Sequence, residues 1–239
     1  MKSYKMEIAN KRNESLDILK GVLVLLVVWG HAIQFGFSKE YVENYKCFED
    51  IIFKLIYSFH MPLFMAISGY LFYYSIKKGF LQIVRNKVSG ILIPYIFYCT
   101  LLAIISFSTW KNDYTLLLNT YANGFWFLTS VMMNMLIVGA VICSVKRALW
   151  QNIIFGITSV AVLLISEDYL YNTHAYVYPA FVVGFLTNKY TIKFRLKKWI
   201  CVIAIACFFI TPFLFNKDLF IYTTGISIYE WGGRLILTN

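Results

Sequence analysis

Apolar residues run along this chain in long blocks separated by short polar stretches. The blocks lie at about 18–36, 51–74, 90–108, 124–145, 150–166, 174–188 and 199–215, and a weaker one runs from about 219 to the end. A helix needs about 20 mostly apolar residues to cross the hydrocarbon of a bilayer. Lipid offers no partner to an unpaired backbone amide, so blocks of this length are helices. A membrane β-barrel would show short segments of strict alternation, and these are absent. The pattern predicts an all-α, polytopic transmembrane helix bundle of about seven or eight spans, with residues 1–239 forming a single membrane-embedded domain.

Composition strengthens that picture. Hydrophobic residues make up 59% of the 239 and charged residues 14%, against roughly half and a quarter in a soluble domain. The first block does not read as a cleaved signal peptide: no small-residue cleavage site follows it, and the polar stretch from Met1 to Asp17 is long for an n-region. A signal-anchor role stays open.

Charge adds an orientation. Most of the 22 Lys and Arg fall on alternate connections: the N-terminal arm through Lys20; Lys77, Lys78, Arg85 and Lys87; Lys146 and Arg147; then Lys189, Lys193, Arg195, Lys197 and Lys198. The other connections hold only Lys39, Lys46, Lys111 and Lys217. Cytoplasmic loops are the ones enriched in Lys and Arg, so the N-terminus is expected inside. The net charge of +10 then needs no nucleic acid, because it sits on membrane-flanking segments and attracts anionic lipid. Cysteines are five, with no metal-type spacing; Cys99, Cys143, Cys201 and Cys207 fall in spans and read as buried hydrophobes.

Function is sought in polar groups placed where they are expensive. His31 and His60 fall within the first two spans, whereas His174 reads as an interfacial residue. Lys20 and His31 are eleven residues apart, which returns them to within about 20° of one helix face with a rise of about 16 Å. His60 enters from the opposite side, roughly nine residues into its span. Counting 1.5 Å per residue puts the two imidazoles at similar depth. Either histidine alone would be read as bonding a neighbouring helix. Two at matching depth, with a cation on the shared face, favour a functional role.

Five segments together resemble a known family. LDILKGVLVLLVVWGH (Leu16 to His31) is similar to the first-span signature of bacterial acyltransferase family 3, a basic residue followed after ten positions by histidine; Lys20 stands where many members have Arg. FHMPLFMAISGYLF (Phe59 to Phe72), RNKVSGILIPY (Arg85 to Tyr95), FWFL (Phe125 to Leu128) and YPAFVVGFL (Tyr178 to Leu186) resemble later markers in the family's order. The resemblance covers about residues 14–188. It implies a bundle of about ten membrane helices in the bacterial cytoplasmic membrane. It also implies transfer of an acyl group, usually acetyl, from acyl-CoA to a hydroxyl of a cell-surface carbohydrate, with His31 at the catalytic position. No metal is implied. The apolar pattern accounts for about eight spans by Asn239, so the expectation is of a C-terminally shortened member.

The residues fit that chemistry. Lys20, Arg85 and Lys87, with Lys77 and Lys78 nearby, would hold the anionic nucleotide of acetyl-CoA at the cytoplasmic face, and the extended pantetheine arm matches the rise from Lys20 to His31. Imidazole titrates near neutrality, which suits a general base. His60 would orient His31 or donate to the oxyanion, Trp126 would line the cavity, and Asp17 is placed to pair with Lys20. A covalent acyl-histidine route is equally compatible. Two other readings stay open: a small proton-coupled transporter using His31 and His60 as a relay, and an inactive remnant serving polysaccharide-assembly proteins. Against the transporter, no duplicated halves are visible.

Overall fold

The computed structural model describes residues 14–36, 46–77, 79–105, 107, 121, 126–164 and 177–191. Within these, every regular element is helical. Helix α1 spans Glu14–Phe35. A 3-10 turn, Lys46–Glu49, leads into α2, Ile51–Ile76. Helix α3, Phe80–Lys87, passes through a π-helical segment, Val88–Leu92, into α4, Ile93–Ile105. Then follow α5, Trp126–Ser144; α6, Ala148–Leu164; and α7, Tyr178–Lys189.

Among the described residues, four helical runs are long and apolar enough to cross a membrane: Glu14–Phe35, Ile51–Ile76, Phe80–Ile105 and Trp126–Ser144. Leu25, Trp29, Phe97 and Ile104 lie exposed on the outer faces of these runs. Apolar surface of that extent is unfavourable in water and suits lipid. The chain is a membrane protein. The blocks expected at 150–166 and 174–188 are the shorter helices α6 and α7, while 199–215 and 219–239 lie outside the described residues, as does His174.

The third block begins earlier than its hydropathy indicates. Residues 80–87, read from sequence as part of a basic connecting loop, are a helix. Its inward face explains this: Ile83 is buried and Phe80 lies over Gly139 of α5, so an amphipathic turn gains packing that its polar residues conceal. Gly79, with φ of 91°, makes the turn between α2 and α3. With ψ of 150° this is a backbone region open almost only to glycine, and it costs an L-residue roughly 1–3 kcal/mol. Pro94, in the first turn of α4, has no N–H to give the preceding turn. The helix accommodates this by widening, and the Ile93 amide bonds Val88 five residues back.

Helix α2 is the centre of the bundle. Asp50 caps its start, accepting from the Phe53 amide at 2.8 Å. Its first half packs antiparallel to α1, in a cluster of Ile33, Cys47, Phe53, Ile56 and Tyr57. Its second half packs parallel to α7, in a larger core that includes Met65, Phe72, Val138, Phe155, Phe181 and Phe185. Gly69 and Gly184 make the α2–α7 crossing. A Cβ on Gly69 would overlap the Phe181 carbonyl oxygen, and one on Gly184 the Ala66 carbonyl oxygen. Membrane helices use small residues in this way to bring backbones into contact.

One end of the bundle is polar and cross-linked by side-chain hydrogen bonds. Asn188 donates to the Tyr70 carbonyl at 2.6 Å, Lys189 to Gln151 Oε1 at 2.7 Å, and Gln151 to the Val145 carbonyl at 2.6 Å. Lys77 lies over the Tyr73 ring at 4.6 Å at the same end. Basic residues from three separate connections, Lys77, Lys146 with Arg147, and Lys189, therefore gather on one side of the bundle.

Candidate active site

The two span histidines are brought together by the antiparallel pair α1–α2, and they occupy different surroundings. His60 is fully buried at 1% exposure, at the seam between the two packing clusters, where Tyr57 belongs to one and Met61 to the other. His31 is exposed on α1, with its ring stacked on Phe35 at 5.8 Å between centroids.

His60 has a defined tautomer. Its Nδ1 lies 2.7 Å from the Ile56 carbonyl oxygen, and a carbonyl can only accept. Nδ1 therefore carries the proton, and in the neutral ring Nε2 holds a lone pair. Only as an imidazolium can His60 donate from Nε2, so stabilising an oxyanion would require that charged form.

Between the histidines lie two residues that the sequence reading did not single out. Tyr57 donates its hydroxyl to Gln34 Oε1 at 3.1 Å, and Gln34 lies one turn after His31 on α1. The Tyr57 ring meets His60 edge-on, centroids 4.8 Å apart, and stacks on Phe53 at 4.0 Å. Gly30 makes room for it: a Cβ there would stand 2.6 Å from Tyr57 Cε2. The signal was present in the spacing. Gln34 follows His31 by three and Tyr57 precedes His60 by three, so each pair shares a helix face.

Lys20 pairs with Asp17 at 2.8 Å, both partly exposed, as the spacing indicated. Because α1 and α2 are antiparallel, Lys20 lies toward the end of the bundle that holds Lys77. Arg85 is exposed and Lys87 half-buried on α3. Two residues apart on a helix, they leave from different sides. Trp126 opens α5, half-buried against the main core, with Phe127 edge-on at 6.0 Å. Of the span cysteines, Cys99 is buried, whereas Cys143 is exposed. The expectation of burial fails for Cys143 because it lies on the outward face of α5. Among the described residues no group of three or more His, Cys, Asp or Glu is gathered as metal ligands would be.

Comparison with known proteins bears on this arrangement. A family model described as an acyltransferase domain matches residues 13–238. The nodulation protein NolL of Mesorhizobium japonicum is 30% identical over 244 residues, covering 92% of this chain and 61% of the relative. NolL of Sinorhizobium fredii is 32% identical over 185 residues, covering 74% of this chain and 49% of the relative. The chain thus spans about half to three fifths of the length of these relatives. No solved structure matches.

Proposed function

Because the chain belongs to acyltransferase family 3, we propose that it is an integral membrane O-acyltransferase that moves an acetyl group from acetyl-CoA to a hydroxyl of a cell-surface carbohydrate. The observation that carries this reading is the paired-histidine site. One helix bears a cation, Lys20, toward the basic end of the bundle, and an imidazole, His31, about 16 Å further along the same face. That imidazole is exposed on α1, whose neighbour α2 carries a second, buried histidine. A donor with anionic and thioester ends separated by a neutral arm fits this spacing. The membrane is the bacterial cytoplasmic membrane, with the basic end of the bundle on the cytoplasmic side.

In the proposed reaction the acceptor hydroxyl oxygen attacks the thioester carbonyl carbon while its proton passes to His31. Collapse of the tetrahedral intermediate breaks the C–S bond. The CoA sulfur leaves with the electron pair and takes the proton back from His31. The products are an ester and free CoA, and His31 is regenerated. His60 positions the site from its buried setting. It assists the oxyanion only in its protonated form. Lys20, Arg85 and Lys87 contact the donor's nucleotide end. Trp126 bounds the acceptor side. Family membership weighs against the transporter reading, for which the histidine pair alone would be the argument.

The test is His31→Ala in the full-length protein, assayed in membranes of the producing strain with radiolabelled acetyl-CoA. Label incorporation into glycan should fall at least about a hundredfold, the lower range for a lost general base. Incorporation at the wild-type rate, at equal expression, would overturn the assignment. Vesicles that pass protons through His31 and His60 without any acyl-CoA would support the transporter instead.

A further inference from the structure

We infer that α6 and α7 together build a site for an anionic phospholipid, with its headgroup phosphate on Lys189 and an acyl chain in the groove between the two helices. The site uses neither histidine and stands independently of the acyl-transfer reading. Its centre is the Lys189 ammonium, which donates to Gln151 Oε1 at 2.7 Å and lies 5.2 Å from the centre of the Tyr190 ring. Both partners are themselves held. Gln151 is buried, and its amide nitrogen donates to the Val145 carbonyl at 2.6 Å. The Tyr190 hydroxyl lies within hydrogen-bond distance of both ends of the Asn152 side chain, at 2.6 and 2.9 Å.

Lys189 is therefore fixed by neutral groups. An ammonium carries three N–H donors, and Gln151 takes one. Among the described residues no carboxylate pairs with Lys189, Lys146 or Arg147. Lys20 differs, because Asp17 answers its charge. A cation held by neutral partners keeps its charge for an external anion, and its fixed side chain has less freedom to lose on binding. Lys146 and Arg147 lie exposed in the adjoining α5–α6 connection. Gln151 ties that connection to Lys189, since its side chain meets both Val145 and the ammonium while its backbone amide bonds the Arg147 carbonyl at 3.2 Å.

The groove below this cation identifies the anion as a lipid. Asn152 and Gly156 share one face of α6, and Tyr190, Thr187 and Val183 share one face of α7. The Asn152–Tyr190 contact shows that these faces meet. One turn further along α6, Gly156 is exposed, and a Cβ there would meet nothing within 4 Å. Val183 is exposed on the other wall. An acyl chain would fill this open, apolar space, from which a free nucleotide would gain nothing. Basic sites between membrane helices suit anionic headgroups in this way.

The test uses full-length protein in detergent, supplied with phosphatidylglycerol or, as the zwitterionic control, phosphatidylcholine, and read by native mass spectrometry. The wild type should retain phosphatidylglycerol at least about tenfold more tightly than phosphatidylcholine. Lys189→Gln should lose most of that preference and Arg147→Gln part of it. Gly156→Leu changes no charge and enters open space, so it should fold normally and yet retain phosphatidylglycerol several-fold less tightly. Lys77→Gln removes the same charge at the same end of the bundle, outside the groove, and should have a much smaller effect than Lys189→Gln. Equal losses in Lys189→Gln and Lys77→Gln, with Gly156→Leu like the wild type, would reduce the site to general attraction by a basic surface and overturn it. A wild type without preference would overturn it too. The donor nucleotide is the other source of phosphate. In the radiolabelled acetyl-CoA assay Lys189→Gln should leave KM for acetyl-CoA nearly unchanged. A several-fold rise in that KM, with phosphatidylglycerol retained as in the wild type, would give Lys189 to the donor and refute the lipid site.

Discussion

The Tyr57 hydroxyl and the Gln34 side-chain oxygen lie 3.1 Å apart across the α1–α2 interface. This bond links two helices whose other contacts are mainly apolar, and it falls between the two histidines of the site.

The close approach of α1 at Gly30 is what lets Tyr57 occupy its place. Gly30→Ala introduces a methyl 2.6 Å from Tyr57 Cε2, a separation no carbon pair tolerates, and only the flexible ring can give way. The ring should move and the hydroxyl lose Gln34. Initial rates of glycan acetylation should fall several-fold while the protein remains folded by gel filtration in detergent.

Arg85 and Lys87 leave α3 on different sides, so their contributions to donor binding should be separable. Arg85→Ala and Lys87→Ala should each raise KM for acetyl-CoA with kcat little changed, and the double variant should show roughly the product of the two effects. Titrating acetyl-CoA against each variant checks this. An unchanged KM in both would remove α3 from the donor site.

Asp17 holds Lys20 in a partly exposed pair, which contributes roughly 0–1 kcal/mol to stability. Asp17→Asn should therefore leave thermal stability almost unaltered. It should also free the Lys20 charge for an anionic donor. The expected result is a modestly lower KM for acetyl-CoA, with Lys20→Ala moving KM in the opposite direction.

At the α2–α7 crossing the backbones touch without intervening side chains. Gly69→Ala and Gly184→Ala each force a methyl onto a carbonyl oxygen of the partner helix. Overpacking of this kind costs about 1–3 kcal/mol, and backbone cannot retreat as a side chain can. Both variants should unfold at lower temperature in detergent than the wild type, and their amides near the crossing should exchange hydrogen faster.

Much of this molecule was legible in its sequence because lipid imposes a simple rule: long apolar blocks are helices. The second and fourth blocks, at 51–74 and 124–145, match α2 and α5 within two residues at each end. Helix α3 was missed because Gln82, Arg85, Asn86 and Lys87 hide an inward face built from only a few apolar residues. His31 and His60 stood out because titratable groups are rare at that depth. Their connectors did not, since a glutamine near the end of a span and a tyrosine among many read as ordinary interfacial residues. The spacing of three that ties each to its histidine becomes meaningful only once α1 and α2 are known to meet at Gly30. Lys20, Arg85 and Lys87 were grouped by charge, and sequence carries no information about which sides of α3 face which neighbour.

The contact at Gly69 and Gly184 has a consequence away from where it lies. A helix seated backbone to backbone on its neighbour cannot roll about its own axis. Each residue of roll or slip would turn every side chain on α2 by about 100°. His60 lies nine residues before Gly69, about 14 Å up the same helix, so the compass bearing of its imidazole is set by two hydrogens in place of side chains. The smallest residues in the bundle act as the keyway that indexes its most buried titratable ring.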